Sequence, residues 1–140
     1  MVAVIATILA RRMPAPEWAP SAPNATIVPA SALKPVAGRA GAAAGLNALA
    51  GTIVALGALG AHPGAGMRRA SIVVMTETTL LPTYAPACTY RPPFLRLCLR
   101  RLRALGLPVT DEQIEGRYTR WSGDAVELRR GEILILEPPR

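Results

Sequence analysis

The chain has 140 residues, a formal net charge of +7 and only two cysteines, Cys88 and Cys98. Its length allows one domain, and the cysteine count excludes a disulfide scaffold and indicates a reducing compartment. With a single histidine, the two cysteines cannot provide the spacing of a metal site, so we expect neither a metal nor another cofactor. The positive charge suits anionic partners such as nucleic acid or acidic lipid, but it does not specify a fold.

The acidic residues divide the chain into two unlike parts. Residues 1–74 contain one, Glu17, whereas residues 75–140 contain the other eight. The surface of a folded domain usually mixes both signs of charge, and only the second part does so. We therefore predict a boundary near Met75, with a low-complexity region rich in Ala, Gly and Pro over 1–74 and a small globular domain over 75–140.

The first part begins with a proline-rich tract. Six prolines lie between residues 14 and 36 among Ala and Ser, which is typical of an extended linker. No repeat of fixed period is evident in either part of the chain. We expect this part to be mostly disordered, apart from one segment that could form an isolated helix.

That segment is residues 40–61, an uncharged run of Ala, Gly and Leu. At about 1.5 Å per residue, a helix of this length would cross a hydrocarbon core of about 30 Å. Gly41 and Gly45 have the spacing that lets helices pack closely in lipid, but Ala and Gly contribute little to insertion. We favour a segment outside the bilayer and hence a cytoplasmic protein. The alternative is a single-pass membrane protein anchored through 40–61.

An amphipathic helix is predicted after Pro92 and Pro93, because proline is tolerated in the first turn of a helix. Its arginine face contains Arg96, Arg100 and Arg103, and Gly106 is suited to end the helix in the left-handed conformation. The predicted apolar face consists of Phe94, Leu95, Cys98, Leu99, Leu102 and Leu105.

The rest of the chain predicts a short second helix and strands. Thr110 and Gln113 have the spacing of a capping box, and residues 117–121 are expected to be extended. A turn over 122–124 leads to residues 125–129, whose pattern fits either a strand or one helical turn. Residues 132–137 form an apolar run typical of a buried strand. The fold class is therefore α+β, with one amphipathic helix, a short second helix and two or three strands.

Residues able to perform catalysis are scarce in the sequence. His62 lies beside Pro63 in the Gly/Ala tract, where we expect a turn, and Cys98 faces the apolar side of the predicted helix. We also expect no strand before Gly57, and therefore no loop that cradles phosphate. We predict no catalytic residues and no enzymatic activity, and hence a non-catalytic accessory or interaction protein that acts through its C-terminal domain.

The small size of the second part predicts a protein partner. A domain of about 50–65 residues buries a low fraction of its surface and is marginally stable alone. We predict that the partner, either another protein or a second copy of the chain, binds through the 132–137 strand, which could be an exposed edge that pairs with a neighbouring strand.

Nucleic acid is the alternative partner. The arginine face of the helix could contact phosphates, and aromatic residues among arginines could stack on bases. The alternative without a nucleic-acid partner is a solvated arginine face with the aromatic residues in the core. The residues of this tentative nucleic-acid site are Arg96, Arg100, Arg103, Arg117, Tyr118, Arg120 and Trp121.

Overall fold

A computed structural model describes residues 33–36 and 44–139 of the chain. Within these ranges the chain forms six strands, two α-helices and one 3₁₀ turn at Ala125–Glu127. The strands are β1 (Leu33–Val36), β2 (Thr52–Ala55), β3 (Ser71–Val74), β4 (Ala85–Tyr90), β5 (Tyr118–Ser122) and β6 (Glu132–Leu136). The helices are α1 (Pro93–Ala104) and α2 (Asp111–Glu115). The predicted α+β class, with its amphipathic helix, short second helix and three C-terminal strands, is confirmed.

All six strands join one sheet in the order β1-β2-β3-β6-β5-β4. The neighbours β1 and β2, β2 and β3, and β3 and β6 pair in parallel. The neighbours β6 and β5, and β5 and β4, pair antiparallel. Leu33, Thr52, Ser71 and Glu132 lie side by side in one row across the parallel part. The connection from β2 to β3, residues 56–70, contains no helix, although a helix usually joins parallel strands.

The parallel strands β1, β2 and β3 recur with a period of 19 residues. They begin at Leu33, Thr52 and Ser71, and each start pairs with the next in register. The expectation that the chain has no repeat of fixed period was wrong. The repeat is hard to detect in the sequence because, apart from the strand pairs Ile53/Ile72 and Val54/Val73, its signal consists mainly of glycines at matching positions, within a region where Gly and Ala are already abundant. These are Gly38 and Gly57, Gly41 and Gly60, and Gly45 and Gly64.

The turns before β2 and β3 repeat the same backbone geometry. Gly45 and Gly64 both have a positive φ, and so do Asn47 and Gly66 two residues later. Each turn is closed by an equivalent hydrogen bond, from Ala48 N–H to the Gly45 carbonyl and from Met67 N–H to the Gly64 carbonyl. Glycine and asparagine accept this left-handed conformation at low cost, so the small residues specify stacked turns.

The hydrophobic helix considered over 40–61 is not formed in its described part, residues 44–61. Turns, the strand β2 and irregular backbone take its place, and residues 40–43 lie outside the described residues. Thr52, Ile53 and Val54 are β-branched and favour a strand, while the glycines are poor helix formers. Within the described residues, no helix is long and apolar enough to cross a membrane. Of residues 1–74, which were predicted to be mostly disordered, residues 33–36 and 44–74 are described and contain β1, β2, β3 and turns, and the others lie outside the described residues.

Helix α1 begins and ends at the predicted residues. Pro92 is the N-cap and Gly106 has a φ of 88°. Gly106 N–H bonds the Arg103 carbonyl at 2.9 Å and Leu107 N–H bonds the Leu102 carbonyl at 3.1 Å, which is a Schellman motif. Phe94 departs from the prediction: it is 40% exposed and does not belong to the buried face. Leu95, Leu99 and Leu102 are buried, whereas Cys98 is only partly covered.

Helix α2 carries the predicted capping box. Thr110 Oγ1 accepts a hydrogen bond from Gln113 N–H at 3.2 Å, and Gln113 Oε1 accepts one from Thr110 N–H at 2.9 Å. The ambiguous segment over 125–129 forms one 3₁₀ turn followed by two left-handed residues, rather than a strand. Asp124 caps this turn through its own side chain.

Two hydrophobic clusters cover the two faces of the sheet. Val54, Val73 and Leu134 form one row across β2, β3 and β6 and pack with α1, α2 and Tyr118. Ile53, Ile72 and Ile133 form the neighbouring row and lie in the second cluster, on the opposite face. Both clusters contain residues from each side of Met75. The predicted boundary therefore falls directly after β3, inside the span of a continuous sheet.

Strand β6 is an interior strand. It pairs with β3 on one side and β5 on the other, so the prediction that the 132–137 strand is an open edge for a partner was wrong. The sequence pattern did not show that β3 is a strand, and β3 occupies that edge. Strand β4 instead lies at one end of the sheet, where Pro86 and an irregularity between Pro86 and Cys88 are tolerated because an edge strand lacks a second neighbour.

Candidate functional site

The arginine face of α1 is bound to the carboxylates of α2. Arg96 Nη2 lies 2.8 Å from Glu115 Oε2 and Arg100 Nη2 lies 3.1 Å from Glu115 Oε1, while Arg103 pairs with Asp111. These side chains are about half exposed on the arginine side, and surface ion pairs of this kind contribute little to stability. Three of the predicted nucleic-acid residues therefore form one surface, and each has a carboxylate partner.

The pKa of Glu115 reflects these two arginines. Partial desolvation acts to raise this pKa, but the hydrogen bonds and charges of Arg96 and Arg100 outweigh it and hold the pKa below its usual value. Glu115 therefore stays ionised at neutral pH and occupies the position that an external anion would take between the two guanidinium groups.

Tyr118 is not available for stacking on a base. The side chain is 1% exposed and lies in the cluster beneath α1. Its hydroxyl donates a hydrogen bond to the Gln113 carbonyl at 2.6 Å, and burial raises its pKa well above the usual value. The assignment of Tyr118 to the nucleic-acid site was wrong, because the extended pattern over 117–121 does not show which side of the strand is covered.

Of the remaining predicted residues, Trp121 lies apart from the arginine face, whereas Arg117 lines a groove together with Glu115. Trp121 is half-buried against the cluster on the opposite face of the sheet from α1. Arg120 Nε lies 2.7 Å from Glu132 Oε2, and Arg117 donates to the Thr89 carbonyl at 3.3 Å. The structure therefore does not combine Trp121 with the arginine face into one binding surface.

A small cleft of about 330 Å³ opens beside the arginine face, between the start of α1 and the end of α2. Arg91 lines this cleft and also a wider groove towards Arg117 and Glu137. Arg91 could not be selected from the sequence, because nothing in its local pattern showed that the end of α2 lies beside it. The cleft is lined by Arg91, Pro92, Pro93, Arg96, Leu97, Arg100, Ile114, Glu115, Gly116 and Tyr118.

A buried carboxylate, Asp124, connects the β5–β6 loop to the turn before β3. Its Oδ2 accepts a hydrogen bond from Gly66 N–H at 3.0 Å and its Oδ1 accepts one from Val126 N–H at 3.1 Å. Desolvation acts to raise the pKa of Asp124, but the hydrogen bonds from Gly66 N–H and Val126 N–H outweigh it and lower this pKa below the usual value. The carboxylate is thus held in its charged form by backbone donors, which is a structural role.

Tyr84 reinforces the same junction. Its hydroxyl donates a hydrogen bond to the Gly64 carbonyl at 2.8 Å, and burial, followed by the charge of Asp124, raises its pKa to about 12. A phenol with so high a pKa is a weak acid, so it supports the turn rather than transferring protons at neutral pH.

The thiols and His62 form no cluster. Both cysteines are free, with Cys88 exposed and Cys98 partly buried, and burial raises the pKa of Cys98, which disfavours the reactive thiolate. His62 is exposed in a turn beside Pro63, as predicted, with a φ of 56°. The expectation that no strand precedes Gly57 was wrong, because β2 ends at Ala55. Among residues 33–36 and 44–139, no three His, Cys, Asp or Glu side chains are grouped to hold a metal ion.

Comparison with known proteins gives one informative similarity. No protein family model matches the chain, and no curated protein matches it. The chain is similar to a chain in the X-ray crystal structure of the formyltransferase/hydrolase complex (FhcABCD) from Methylorubrum extorquens in complex with methylofuran. The identity is 39% over 71% of this chain, with a TM-score of 0.63. The match covers 38% of that chain, so the present chain spans well under half of its length.

Proposed function

We propose that this chain is a non-catalytic accessory subunit of an enzyme assembly of the formyltransferase/hydrolase kind. The observation that carries the proposal is the 39% identity with a chain of such a complex over 71% of the present chain. The similarity therefore extends to the amino-acid sequence and is not limited to the fold. In this role the chain binds other subunits and supports their arrangement, and the transfer and hydrolysis of formyl groups take place on those subunits.

The polar groups of the described residues support an accessory role. Asp124 and Tyr84 hold turns together, and Glu115 is paired with Arg96 and Arg100. Each of these groups is therefore explained by the fold. Partnering is also favoured by Val126 and Leu128, two large apolar side chains that are exposed within three residues of one loop, because grouped exposed apolar side chains are typical of binding sites.

Reconstitution tests this function. The full chain is co-expressed with the formyltransferase and hydrolase subunits of its own organism, and the mixture is separated by size-exclusion chromatography with light scattering. We expect the chain to elute with those subunits in a fixed ratio, and the chain alone to show no formyl transfer or hydrolysis. A basic protein of similar size serves as the control for non-specific binding.

Two results would contradict the accessory role. Elution of the chain only at its own mass of 14.8 kDa, or at that of a homo-oligomer, would remove the proposed partners. Formyl transfer by the isolated chain would show that it is itself an enzyme. Whether the chain is an accessory subunit or an enzyme, we expect it in the cytoplasm, where its free thiols remain reduced.

Nucleic-acid binding by Arg96, Arg100, Arg103, Arg117, Arg120 and Trp121 stays a prediction from the sequence. A labelled oligonucleotide tests it, because binding through phosphate contacts weakens steeply as the salt concentration rises. No binding at low salt would exclude it.

A further inference from the structure

Two of the most exposed apolar side chains lie together in the loop between β5 and β6. Val126 is 77% exposed and Leu128 is 74% exposed, which is more than any other large hydrophobic residue of residues 44–139. They flank Glu127 on the 3₁₀ turn, and we call Val126 and Leu128 the loop knob. Isolated exposed leucines are common, but here two branched aliphatic side chains project into solvent within three residues of one loop.

The loop that carries the knob is fixed by hydrogen bonds. The Asp124 side chain accepts a hydrogen bond from Val126 N–H. The Asp124 carbonyl accepts a second hydrogen bond from Arg129 N–H at 3.1 Å. Leu128 N–H bonds the Ala125 carbonyl at 3.3 Å, and Gly123 N–H bonds the Gly131 carbonyl at 2.7 Å across the base of the loop. The two side chains are therefore presented in one arrangement, which lowers the entropy cost of binding them.

The backbone beneath the knob is strained. Leu128 has a φ of 60° and Arg129 a φ of 54°, and two consecutive residues with side chains rarely adopt this left-handed conformation. Glycine at position 128 would form the same turn at a lower conformational cost. The stability of the fold alone would therefore favour glycine over leucine at this position. Strain of this kind is concentrated at functional positions.

The knob is bordered by positive charge. Arg68, Arg69, Arg129 and Arg130 are exposed around the loop, and Arg68 and Arg130 both contact Glu127. Glu127, which lies between the two apolar residues, is already paired with Arg68 at 3.2 Å. The surface thus has an apolar centre and a basic border, which is complementary to an apolar pocket rimmed by carboxylates.

We propose that Val126 and Leu128 insert into an apolar pocket, bordered by Asp or Glu side chains, on a neighbouring subunit of the assembly. This inference rests on the proposed accessory function and specifies the surface that performs it. A protein fits better than a membrane, because the projection contains no aromatic residue and carries Glu127 between its two apolar side chains.

Binding of full-length variants to the co-purified formyltransferase and hydrolase subunits tests the surface. We expect the double variant Val126→Ser/Leu128→Ser to lower the affinity by about tenfold or more. The control is Leu97→Ser on α1, which removes a side chain that is also 67% exposed and should leave the affinity unchanged. Arg129→Glu should weaken binding and reduce its dependence on salt.

Leu128→Gly separates binding from folding. Because glycine relieves the left-handed strain, this variant should unfold at the same temperature as the wild type or a higher one, and yet bind more weakly. A merely structural role of Leu128 would move the two measurements in the same direction.

Three results would overturn the surface. Equal affinity of the double variant and the wild type would do so while leaving the accessory function standing. A loss of affinity in Leu97→Ser alone would move the contact to α1. Failure of the wild type to bind any of the subunits, including a case in which it binds vesicles of anionic lipid instead, would overturn the surface and the accessory function together.

Discussion

Single residues in this protein are explained best by the hydrogen bonds that they satisfy. Asp124 shows this clearly, because it is a carboxylate that is only 6% exposed and accepts backbone N–H groups from two different parts of the chain. Burial of a charge without such partners would be costly. The residue lies in a short turn sequence, Ser-Gly-Asp, whose local pattern predicted the turn but not the long-range bond to Gly66.

Replacing Asp124 with Asn should destabilise the fold. An amide has one acceptor oxygen and a donor group that would face a backbone N–H, so we expect a loss of about 1.5–3 kcal/mol in the free energy of unfolding. Chemical denaturation measures this loss. The matched control is Asp111→Asn, whose side chain is 86% exposed and which should change the stability by less than about 1 kcal/mol. Equal effects of the two substitutions would refute the structural role.

The same carboxylate makes the stability depend on pH in a defined direction. The pKa of Asp124 is lower in the folded state than in the unfolded state, where an aspartate has a pKa of about 3.9. Its contribution is therefore complete above that value and is lost as the pH falls through the lower folded pKa. The free energy of unfolding of the wild type should fall steeply as the pH decreases through this acidic range. That of Asp124→Asn should change less over the same range.

At the scale of elements, turns with left-handed residues decide where the helix and strands begin and end. Gly106 ends α1, and Gly64 closes the turn before β3, with φ values of 88° and 69°. Their surroundings differ. A methyl group at Gly106 would meet no atom within 4 Å, whereas one at Gly64 would collide with the Tyr84 hydroxyl.

This difference predicts unequal costs for two similar substitutions. Gly106→Ala should lower the free energy of unfolding by about 1 kcal/mol, the conformational cost of a left-handed alanine. Gly64→Ala should cost clearly more, because the collision also disturbs the bond from Tyr84 to the Gly64 carbonyl. Urea unfolding of both variants compares them. A similar loss in both would show that the Tyr84 contact adds nothing.

For the whole molecule, the continuous sheet connects the low-complexity part of the chain to the C-terminal part. Ile53, Ile72 and Ile133 lie side by side, as do Val54, Val73 and Leu134. Independent folding of residues 75–140 stays a prediction from the sequence, and the structure adds what this fragment would lack. Without β3, the β6 strand becomes an edge and its apolar residues lose one neighbour.

Expression of residues 75–140 alone measures this dependence. We expect the fragment to keep a cooperative transition from α1 and the β4–β6 strands, but with a lower unfolding midpoint than the full chain. We also expect it to self-associate through the open β6 edge, which light scattering would detect. A monomeric fragment as stable as the full chain would show that pairing with β3 contributes nothing to stability.

Short-range features could be predicted from the sequence because the groups that determine them lie within about four residues of each other. The extent of α1, the left-handed Gly106, the capping box of Thr110 and Gln113, and the apolar strand that buries Ile133 and Leu134 belong to this class. The glycine turns before β2 and β3 and the β-branched residues of these strands are also visible in the sequence. They lie in a region rich in Ala and Gly, where they resemble low-complexity sequence.

Only the tertiary structure decided how these elements combine. The pairing of Ser71 with Glu132 joins residues 61 positions apart, and no local pattern specifies such a partner. That pairing makes β6 an interior strand. The burial of Tyr118, the pairing of the arginine face with Glu115 and the exposure of Val126 and Leu128 depend likewise on which surface each element covers. The sequence thus determined local conformation and charge, and long-range packing determined which side chains remain available to a partner.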